Sequence, residues 1–357
     1  MAHARADRDV DRPLPPSDTA DLMPLVEHDG PFLTVMLPAP SRRADAAHRL
    51  EVAWKNARRQ VVDDGGWDDG DLGRVDEMIA EVPHHVGESF VAVRALDGPT
   101  HIEVLGEPLH EPIVTVGAAP RLAPVIESRQ RAVPHLVVET DRTGADITAF
   151  DGGEVIGREV VSGDTEHIHR GHPGGWSQRR FQQRAENTWE RNAGEVADEV
   201  ASMSQRIAPR LVAVAGEVRA RSLVLDSLPA SLDADVVGLE AGDDAGIADE
   251  LVRLLDDHVA TGLRRWSERL SEALADGGAV ATTDEVLGAL EAGRVATLLV
   301  HDDRGASVVT QHTVAGVPTG VRVADLAIVL ALRSGAEVVA VPRFASLDGP
   351  VAALLRW

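Results

Sequence analysis

Cysteine is absent from this chain of 357 residues. Its absence excludes disulfides, thiolate metal sites and cysteine nucleophiles, and it fits a reducing compartment. Long hydrophobic runs are also missing, because none approaches the roughly 18 residues that a membrane-spanning helix needs. The first residues, MAHARADRDVDRPLPP, lack the apolar segment of a secretory signal. We therefore expect a cytoplasmic protein with no membrane partner, and a disordered tail over residues 1–16.

Positive charge is scarce as well. Asp and Glu number 58 against 35 Lys and Arg, which gives a net charge of −23. This balance argues against bulk binding of nucleic acid, and DNA is not an expected partner. No Gly-Lys-Ser/Thr phosphate-binding motif occurs, and no helical pattern follows Gly152-Gly153, so we expect no nucleotide or other cofactor.

The length predicts more than one hydrophobic core. We expect an α/β protein of three domains, over residues 17–131, 132–262 and 263–357. In the first domain, strand patterns alternate with helical periodicity, and the Pro-rich segment Ala118–Pro134 is a predicted linker. The predicted strands and helices of this domain cover residues 31–37, 43–63, 72–79, 88–95, 101–105 and 113–116.

The second and third domains have clearer patterns. Alternating runs at 136–140, 146–150 and 155–161 predict a three-stranded meander, and a long helix to about Ile207 and a β-α-β-α order predict a mixed α/β layer. In the third domain, Thr282 or Thr283 is the expected helix N-cap, and Gly293 and Gly335 stand where C-terminal caps belong. Further strands at 295–300, 306–311 and 338–341 predict an α-β-α sandwich.

One window runs against the acidic background. His167–Asn192, HIHRGHPGGWSQRRFQQRAENTWERN, contains five Arg and two Glu. It joins a Gly-Gly loop to the long helix, for which Ser177 is the expected N-cap. At about 100° per residue, one helix face carries Phe181, Ala185, Trp189, Val196, Val200 and Met203. Another face carries Arg180, Arg184, Asn187 and Arg191.

Two interpretations of this window stand side by side. Arginine binds two phosphate oxygens through its planar fork, Gly174 and Gly175 allow close approach of the backbone, and Trp176 offers a surface for base stacking. These features predict a tip that binds RNA. The plainer interpretation is a solvated arginine face that pairs with Glu186 and Glu190 beside an ordinary turn.

Clustered histidines and three further tryptophans are also candidate functional residues. His167, His169 and His172 suggest a metal site, since imidazole is a common zinc ligand. No helix orients the nearby acidic residues, so we expect no metal, and RNA contact and a plain polar loop are the alternatives. Trp54, Trp189 and Trp266 fall at apolar helical positions and are predicted core residues.

The order of these elements resembles the archaeo-eukaryotic class I release factor and Pelota superfamily. In its release factors, a middle-domain loop contains Gly-Gly-Gln and then Ser, followed by an Arg-rich helix with an aromatic residue. Here Gly174-Gly175-Trp176-Ser177 and Arg180-Phe181 occupy those places. The segment Asp284–Val300, DEVLGALEAGRVATLLV, is similar to the C-terminal domain of the superfamily. The pattern is most similar to the bacterial branch, which includes the Balon-type ribosome hibernation factors.

The resemblance implies binding at the ribosomal A site. It implies a first domain that faces the decoding centre, a ribonuclease-H-like middle domain whose loop meets the RNA of the peptidyl-transferase centre, and a C-terminal sandwich that docks to elongation factor Tu. The expected RNA-binding residues are His172, Gly174, Gly175, Trp176, Ser177, Gln178, Arg179, Arg180 and Arg184.

Trp176 stands where the release factors carry the glutamine that positions water. We therefore expect a hibernation or rescue factor that is not an enzyme and has no catalytic residue. One alternative is an enzyme that hydrolyses peptidyl-tRNA or cleaves tRNA through Gln178 or the histidines. The other is a stress adaptor that never contacts the ribosome.

Overall fold

The computed structural model describes residues 13–38, 46–64, 67, 69–81, 88–106, 108–109, 111–163, 176–302, 321–344, 346–347 and 349–357. For helix residues 46, 47, 60, 63, 64, 69, 81 and 176–185 it describes the backbone alone. Residues 132–262 form one compact unit, and residues 13–131 form a second unit together with residues 263–357. Among the described residues, no helix is both long and apolar enough to cross a bilayer.

The segment 13–131 is built on a four-stranded antiparallel sheet. Its elements are a 3-10 turn (Ala20–Leu22), α1 (Met23–Glu27), β1 (Phe32–Pro38), α2 (Ala46–Asp64), α3 (Asp69–Glu81), β2 (Ser89–Ala95), β3 (Thr100–Leu105), β4 (Ile113–Gly117) and α4 (Ala123–Arg131). The strand order is β3-β2-β1-β4. Alternate residues of β1 enter different cores: Leu33 and Val35 pack with α2 and α3, whereas Phe32 and Met36 pack on the opposite face.

The predicted linker at Ala118–Pro134 is wrong. Most of it is helix α4, and Leu122, Val125 and Ile126 are fully buried. Pro124 is the second residue of this helix, where the missing N–H of proline leaves no intrahelical bond unmade. Proline content therefore indicated a linker where a buried helix begins.

The unit of residues 132–262 contains a mixed five-stranded sheet. Its elements are β5 (His135–Thr140), β6 (Gly144–Asp151), β7 (Glu154–Ser162), α5 (Trp176–Ile207), β8 (Leu211–Gly216), α6 (Val218–Ser227), β9 (Asp235–Gly238) and the first part of α7 (Asp244–Ala275). The strand order is β7-β6-β5-β8-β9, antiparallel from β5 to β7 and parallel from β5 to β9. Gly152 and Gly153 both have positive φ in the turn between β6 and β7. The predicted meander and the ribonuclease-H-like mixed sheet are confirmed.

The C-terminal segment is an α-β-α sandwich, as predicted. After α7 come β10 (Ala279–Val280), α8 (Thr283–Glu291), β11 (Val295–Val300), α9 (Val323–Arg333), β12 (Glu337–Ala340) and β13 (Val351–Leu355), with strand order β10-β13-β11-β12. Helices α8 and α9 pack on one face of this sheet, and Trp266 of α7 packs on the other.

The predicted helix caps of this segment are also found. Thr282 is the N-cap of α8, and its side chain accepts a hydrogen bond from the Glu285 amide. Gly293 and Gly335 have φ of +66° just after α8 and α9. The strand predicted at 306–311 lies outside the described residues.

The two segments of the second unit share a buried chain of charges. Arg121 and Asp302 form an ion pair at 3.1 Å, with their side chains 4% and 3% exposed. Arg322 lies 2.5 Å from the same aspartate and 3.4 Å from Asp325 on α9. The sequence suggested separate domains for these two segments, and that division stays a prediction.

Candidate RNA-binding helix and its anchor

The predicted site lies at the start of helix α5, which runs for 32 residues from Trp176 to Ile207. Its first three turns contain Trp176, Ser177, Gln178, Arg179, Arg180 and Arg184. The remaining predicted RNA-binding residues, His172, Gly174 and Gly175, lie outside the described residues, as do His167 and His169.

The prediction that Ser177 caps the helix is wrong. Trp176 is already helical, so Ser177 lies inside the first turn and does not precede it. Residue type alone fixes a helix boundary only to within one or two positions.

From Glu186 onward, α5 has the two faces that the sequence predicted. Trp189, Val196 and Met203 are buried, whereas Asn187 and Arg191 are exposed. Seven residues of an α-helix make nearly two full turns, so positions 180 and 184 fall on the same stripe as positions 187 and 191.

The plainer interpretation paired this stripe with Glu186 and Glu190. Glu186 instead lies 3.5 Å from Arg219 of α6, and Arg191 lies 3.9 Å from Glu195. Glu186 therefore already has a cationic partner on another helix.

Helix α5 continues toward its N-terminus beyond its contact with the end of β7. Strand β7 ends at Ser162, and Gly163 then lies against Asn192 so closely that a Cβ on Gly163 would be 2.3 Å from Asn192 Cγ. Trp176 precedes Asn192 by 16 residues (192 − 176). At 1.5 Å per residue, the helix extends about 24 Å from this contact to its first residue.

Asn192 joins the helix to the turn between β5 and β6. Its side chain is 2% exposed, and Nδ2 donates a hydrogen bond to the Arg142 carbonyl at 2.9 Å. In the same turn, the Thr143 carbonyl accepts from the Gly163 amide at 2.6 Å. One short turn therefore holds both α5 and the end of β7.

Asp141 stabilises the conformation of this turn through its side chain. Its Oδ1 accepts hydrogen bonds from the Thr143 amide at 2.6 Å, the Thr143 hydroxyl at 2.6 Å and the Gly144 amide at 3.1 Å. Burial raises the pKa of Asp141, but these hydrogen bonds outweigh it, so the pKa lies below its ordinary value. The carboxylate is therefore ionised at neutral pH.

Trp189 is contacted by two arginines from neighbouring elements. The Arg142 guanidinium carbon lies 4.9 Å from the indole centroid, and that of Arg219 on α6 lies 5.9 Å away. Glu217 accepts from Arg142 Nε at 2.7 Å and Nη2 at 2.5 Å, and this pairing raises the pKa of Arg142. The cluster links α5, the β5–β6 turn and α6.

A cleft of about 470 Å³ opens beside the β5–β6 turn, at the carboxyl ends of β5 and β8. Ligands of open α/β sheets often bind at such an edge. Its lining includes Glu139, Asp141, Asp146 and Asp244, whose charge disfavours phosphate. The part of the chain that the structure describes holds no group of three or more His, Asp or Glu suited to a metal ion.

The sequence does not indicate the contacts of Arg142, Asn192, Glu217 and Arg219. The Asn192–Arg142 hydrogen bond joins positions 50 residues apart, and the Arg142–Glu217 pair joins positions 75 apart. The periodicity of neighbouring residues does not indicate pairs that are so far apart in the sequence. The stretch Asp141-Arg142-Thr143-Gly144 indicated a turn after a strand, but not what the turn holds.

Residues 134–278 match the model of the bacterial archaeo-eukaryotic release factor family 2. This stretch is therefore similar to the domain of that family. The family 2 domain covers the five-stranded sheet, α5, α6 and α7, so Asn192 and its partners all lie within it. The superfamily resemblance drawn from the sequence is confirmed.

Relatives of the whole chain are found in Mycobacterium tuberculosis. Uncharacterized protein MT2704 of strain CDC 1551 / Oshkosh and uncharacterized protein Rv2629 of strain ATCC 25618 / H37Rv are each 29% identical over 304 residues. The alignment covers 80% of this chain, including the family 2 domain, and 79% of each relative.

Two solved structures are similar at lower identity. The archaeal translation termination factor aRF1 is 18% identical, with 94% of this chain and 96% of that chain covered and a TM-score of 0.24. The S. cerevisiae translation termination-like factor Dom34 is 12% identical, with 96% and 92% covered and a TM-score of 0.40. TM-scores at this level establish no structural detail.

Proposed function

We propose that this chain is a ribosome-binding translation factor that occupies the A site without releasing peptide, as a hibernation or rescue factor. The similarity of residues 134–278 to the family 2 domain supports a place in translation. The observation that carries the proposal is the reach of α5, whose first residue lies about 24 Å from the anchor at Asn192. A helix of this length carries its first turns well away from Asn192.

The chemistry at the helix start favours contact with RNA. Positions 180 and 184 share a helical stripe with the exposed Asn187 and Arg191, and arginine binds phosphate through two parallel hydrogen bonds. Trp176 offers an aromatic surface on which a base stacks. By resemblance, the ligand is ribosomal RNA at the peptidyl-transferase centre, and the C-terminal sandwich docks to elongation factor Tu.

Trp176 supports the proposal that the chain occupies the A site without catalysing peptide release. The glutamine of the release factors both donates and accepts hydrogen bonds, so it orients a water molecule. Indole has one N–H donor and no acceptor, so it cannot replace that amide. We therefore infer that this chain blocks the A site and leaves the peptidyl-tRNA ester intact.

Ribosome pelleting at several salt concentrations tests the RNA contact. The wild type is expected to pellet with vacant ribosomes. The pair Arg180→Glu and Arg184→Glu should bind more weakly, and each lost phosphate contact should lower the log–log salt slope by about 0.7–0.9.

The matched control is Arg206→Glu, at the other end of the same helix, where the side chain is 55% exposed. It is expected to bind as the wild type does. Circular dichroism verifies the fold of each variant. Unchanged affinity and slope in a folded Arg180/Arg184 variant would show that the stripe is only solvated surface.

A peptide-release assay tests the absence of hydrolysis. Ribosomes that carry peptidyl-tRNA in the P site are expected to retain their peptide when the protein is added. Release that disappears with Gln178→Ala would favour the enzyme alternative. A wild type that does not pellet with ribosomes would favour the adaptor alternative.

A further inference from the structure

Asn192 holds helix α5 near its middle, at a point that we call the pivot. The first residue of the helix is about 24 Å from that point. A rotation of about 10° at the pivot would displace it by about 4 Å, since the displacement is the length times the sine of the angle. A binding constellation requires placement to about 0.5 Å. The orientation of α5 at Asn192 therefore decides whether its first turns meet their ligand.

Contacts at the pivot come from three elements of the same unit. The Asn192 amide donates to the Arg142 carbonyl at 2.9 Å. Gly163, the residue after β7, packs against the same Asn192 side chain. Three residues earlier on the helix, the Trp189 indole lies under the Arg142 guanidinium, which Glu217 holds from the start of α6. A tilt of α5 away from the Arg142 turn would break the Asn192 hydrogen bond, and a tilt toward Gly163 would create a clash.

The Arg142 carbonyl, which accepts the Asn192 hydrogen bond, lies in a network of hydrogen bonds. Arg142 lies in the turn that Asp141 closes through three hydrogen bonds. A fixed carbonyl matters because hydrogen bonds weaken steeply as their angle departs from linear. The bond from Asn192 is therefore a directional restraint on α5, which an apolar side chain of the same size does not provide.

We propose that Asn192 is a positioning residue that sets the direction of α5 relative to the sheet and so presents its arginine-bearing end to ribosomal RNA. The identity of the ligand, ribosomal RNA, rests on the proposed function. The orientation of α5 by Asn192 does not depend on that function. Asn192 touches no ligand, so its effect on binding is indirect, through the placement of residues more than 10 Å away along the helix.

The test measures the orientation of the helix directly. Because the chain has no cysteine, Gln183→Cys on α5 and Ser222→Cys on α6 give two specific sites for spin labels. The distance distribution between the labels is expected to be single and narrow in the wild-type background. Asn192→Leu, which removes the donor at similar volume, should broaden it by about 2 Å, because residue 183 lies about 13.5 Å along the helix from Asn192 and a rotation of about 10° is assumed.

Asn187→Leu is the matched control, because Asn187 lies on the same helix and is exposed. It is expected to leave the distribution narrow. A folded Asn192→Leu variant with an equally narrow, unshifted distribution would overturn the positioning role.

A second perturbation decides the outcome if Asn192→Leu does not fold. Gly163→Ala forces a methyl group against Asn192, so it should shift or broaden the same distribution. Adding Asn192→Ala to Gly163→Ala removes the clashing side chain, so the double variant should recover part of the stability that Gly163→Ala loses. An unaltered distribution in Gly163→Ala would overturn the proposal.

Ribosome affinity is measured separately. A folded Asn192→Leu variant, verified by circular dichroism, is expected to bind vacant ribosomes roughly tenfold more weakly. If the wild type fails to bind ribosomes, the proposed function fails, and the spin-label distances still decide whether Asn192 orients α5.

Discussion

Asp325 is expected to make the stability of the second unit depend on pH. It is 6% exposed at the start of α9, where Arg322 Nη1 lies 3.4 Å from its Oδ1. Burial raises the pKa of Asp325 to about 7; the positive charges of Arg322 and Arg121 oppose the rise, and the negative charge of Asp302 adds to it. Replacing Asp325 with Asn removes this titration and keeps the side-chain size.

The sign and size follow from proton linkage. Because the pKa in the folded chain lies above the ordinary 3.8, the folded state binds this proton more tightly than the unfolded state. Stability from this group is full below about pH 4 and is lost as the pH rises through about 7. The difference, at about 1.36 kcal/mol per pH unit, amounts to on the order of 4 kcal/mol at most.

The assay is urea denaturation at a series of pH values, with hydrogen exchange of peptides from β11 and α9 to localise the effect. The wild type should lose more stability between about pH 4.5 and pH 8 than Asp325→Asn does. Asp284→Asn is the control, because Asp284 is an exposed carboxylate in the first turn of α8 in the same unit. Parallel pH profiles for the wild type and Asp325→Asn would refute the reasoning.

Three further substitutions test the packing that supports the site and its neighbours. Gly216 has φ of +116°, and a Cβ there would lie 1.9 Å from the Thr140 carbonyl, so Gly216→Ala should destabilise the unit by at least about 2 kcal/mol in urea denaturation. Trp189 is 4% exposed, so Trp189→Ala should cost about 3–5 kcal/mol, and a loss under about 1 kcal/mol would contradict its core role. Thr282→Ala should cost about 1 kcal/mol in the same assay, because the N-cap of α8 is lost, and an unchanged midpoint would argue against the cap.

Elements that depend on local signals could be predicted from the sequence. The buried stripe of α5 through Val196, Val200 and Met203 follows from spacing within two turns of one helix. The β6–β7 turn follows from two adjacent glycines, which adopt positive φ without strain. The Thr282 cap follows from a residue type that pairs with an amide three positions later.

Features that depend on distant contacts could not be predicted in this way. Arg121 and Asp302 are 181 positions apart, and nothing near either residue in the sequence indicates the other. The same holds for Asn192, whose partner Arg142 lies in another strand's turn. Helix α4 was missed for a different reason, because proline is favourable in the first turn of a helix as well as in a linker. The helix that carries the predicted site could thus be located from the sequence, whereas the contacts that hold this helix could not.

The claim that this chain occupies the A site is tested most directly by competition. The protein is pelleted with vacant ribosomes and, in parallel, with ribosomes whose A site already holds aminoacyl-tRNA. We expect it to pellet with the vacant ribosomes and to be excluded from the filled ones. Equal pelleting with both, or pelleting with neither, would contradict A-site occupancy.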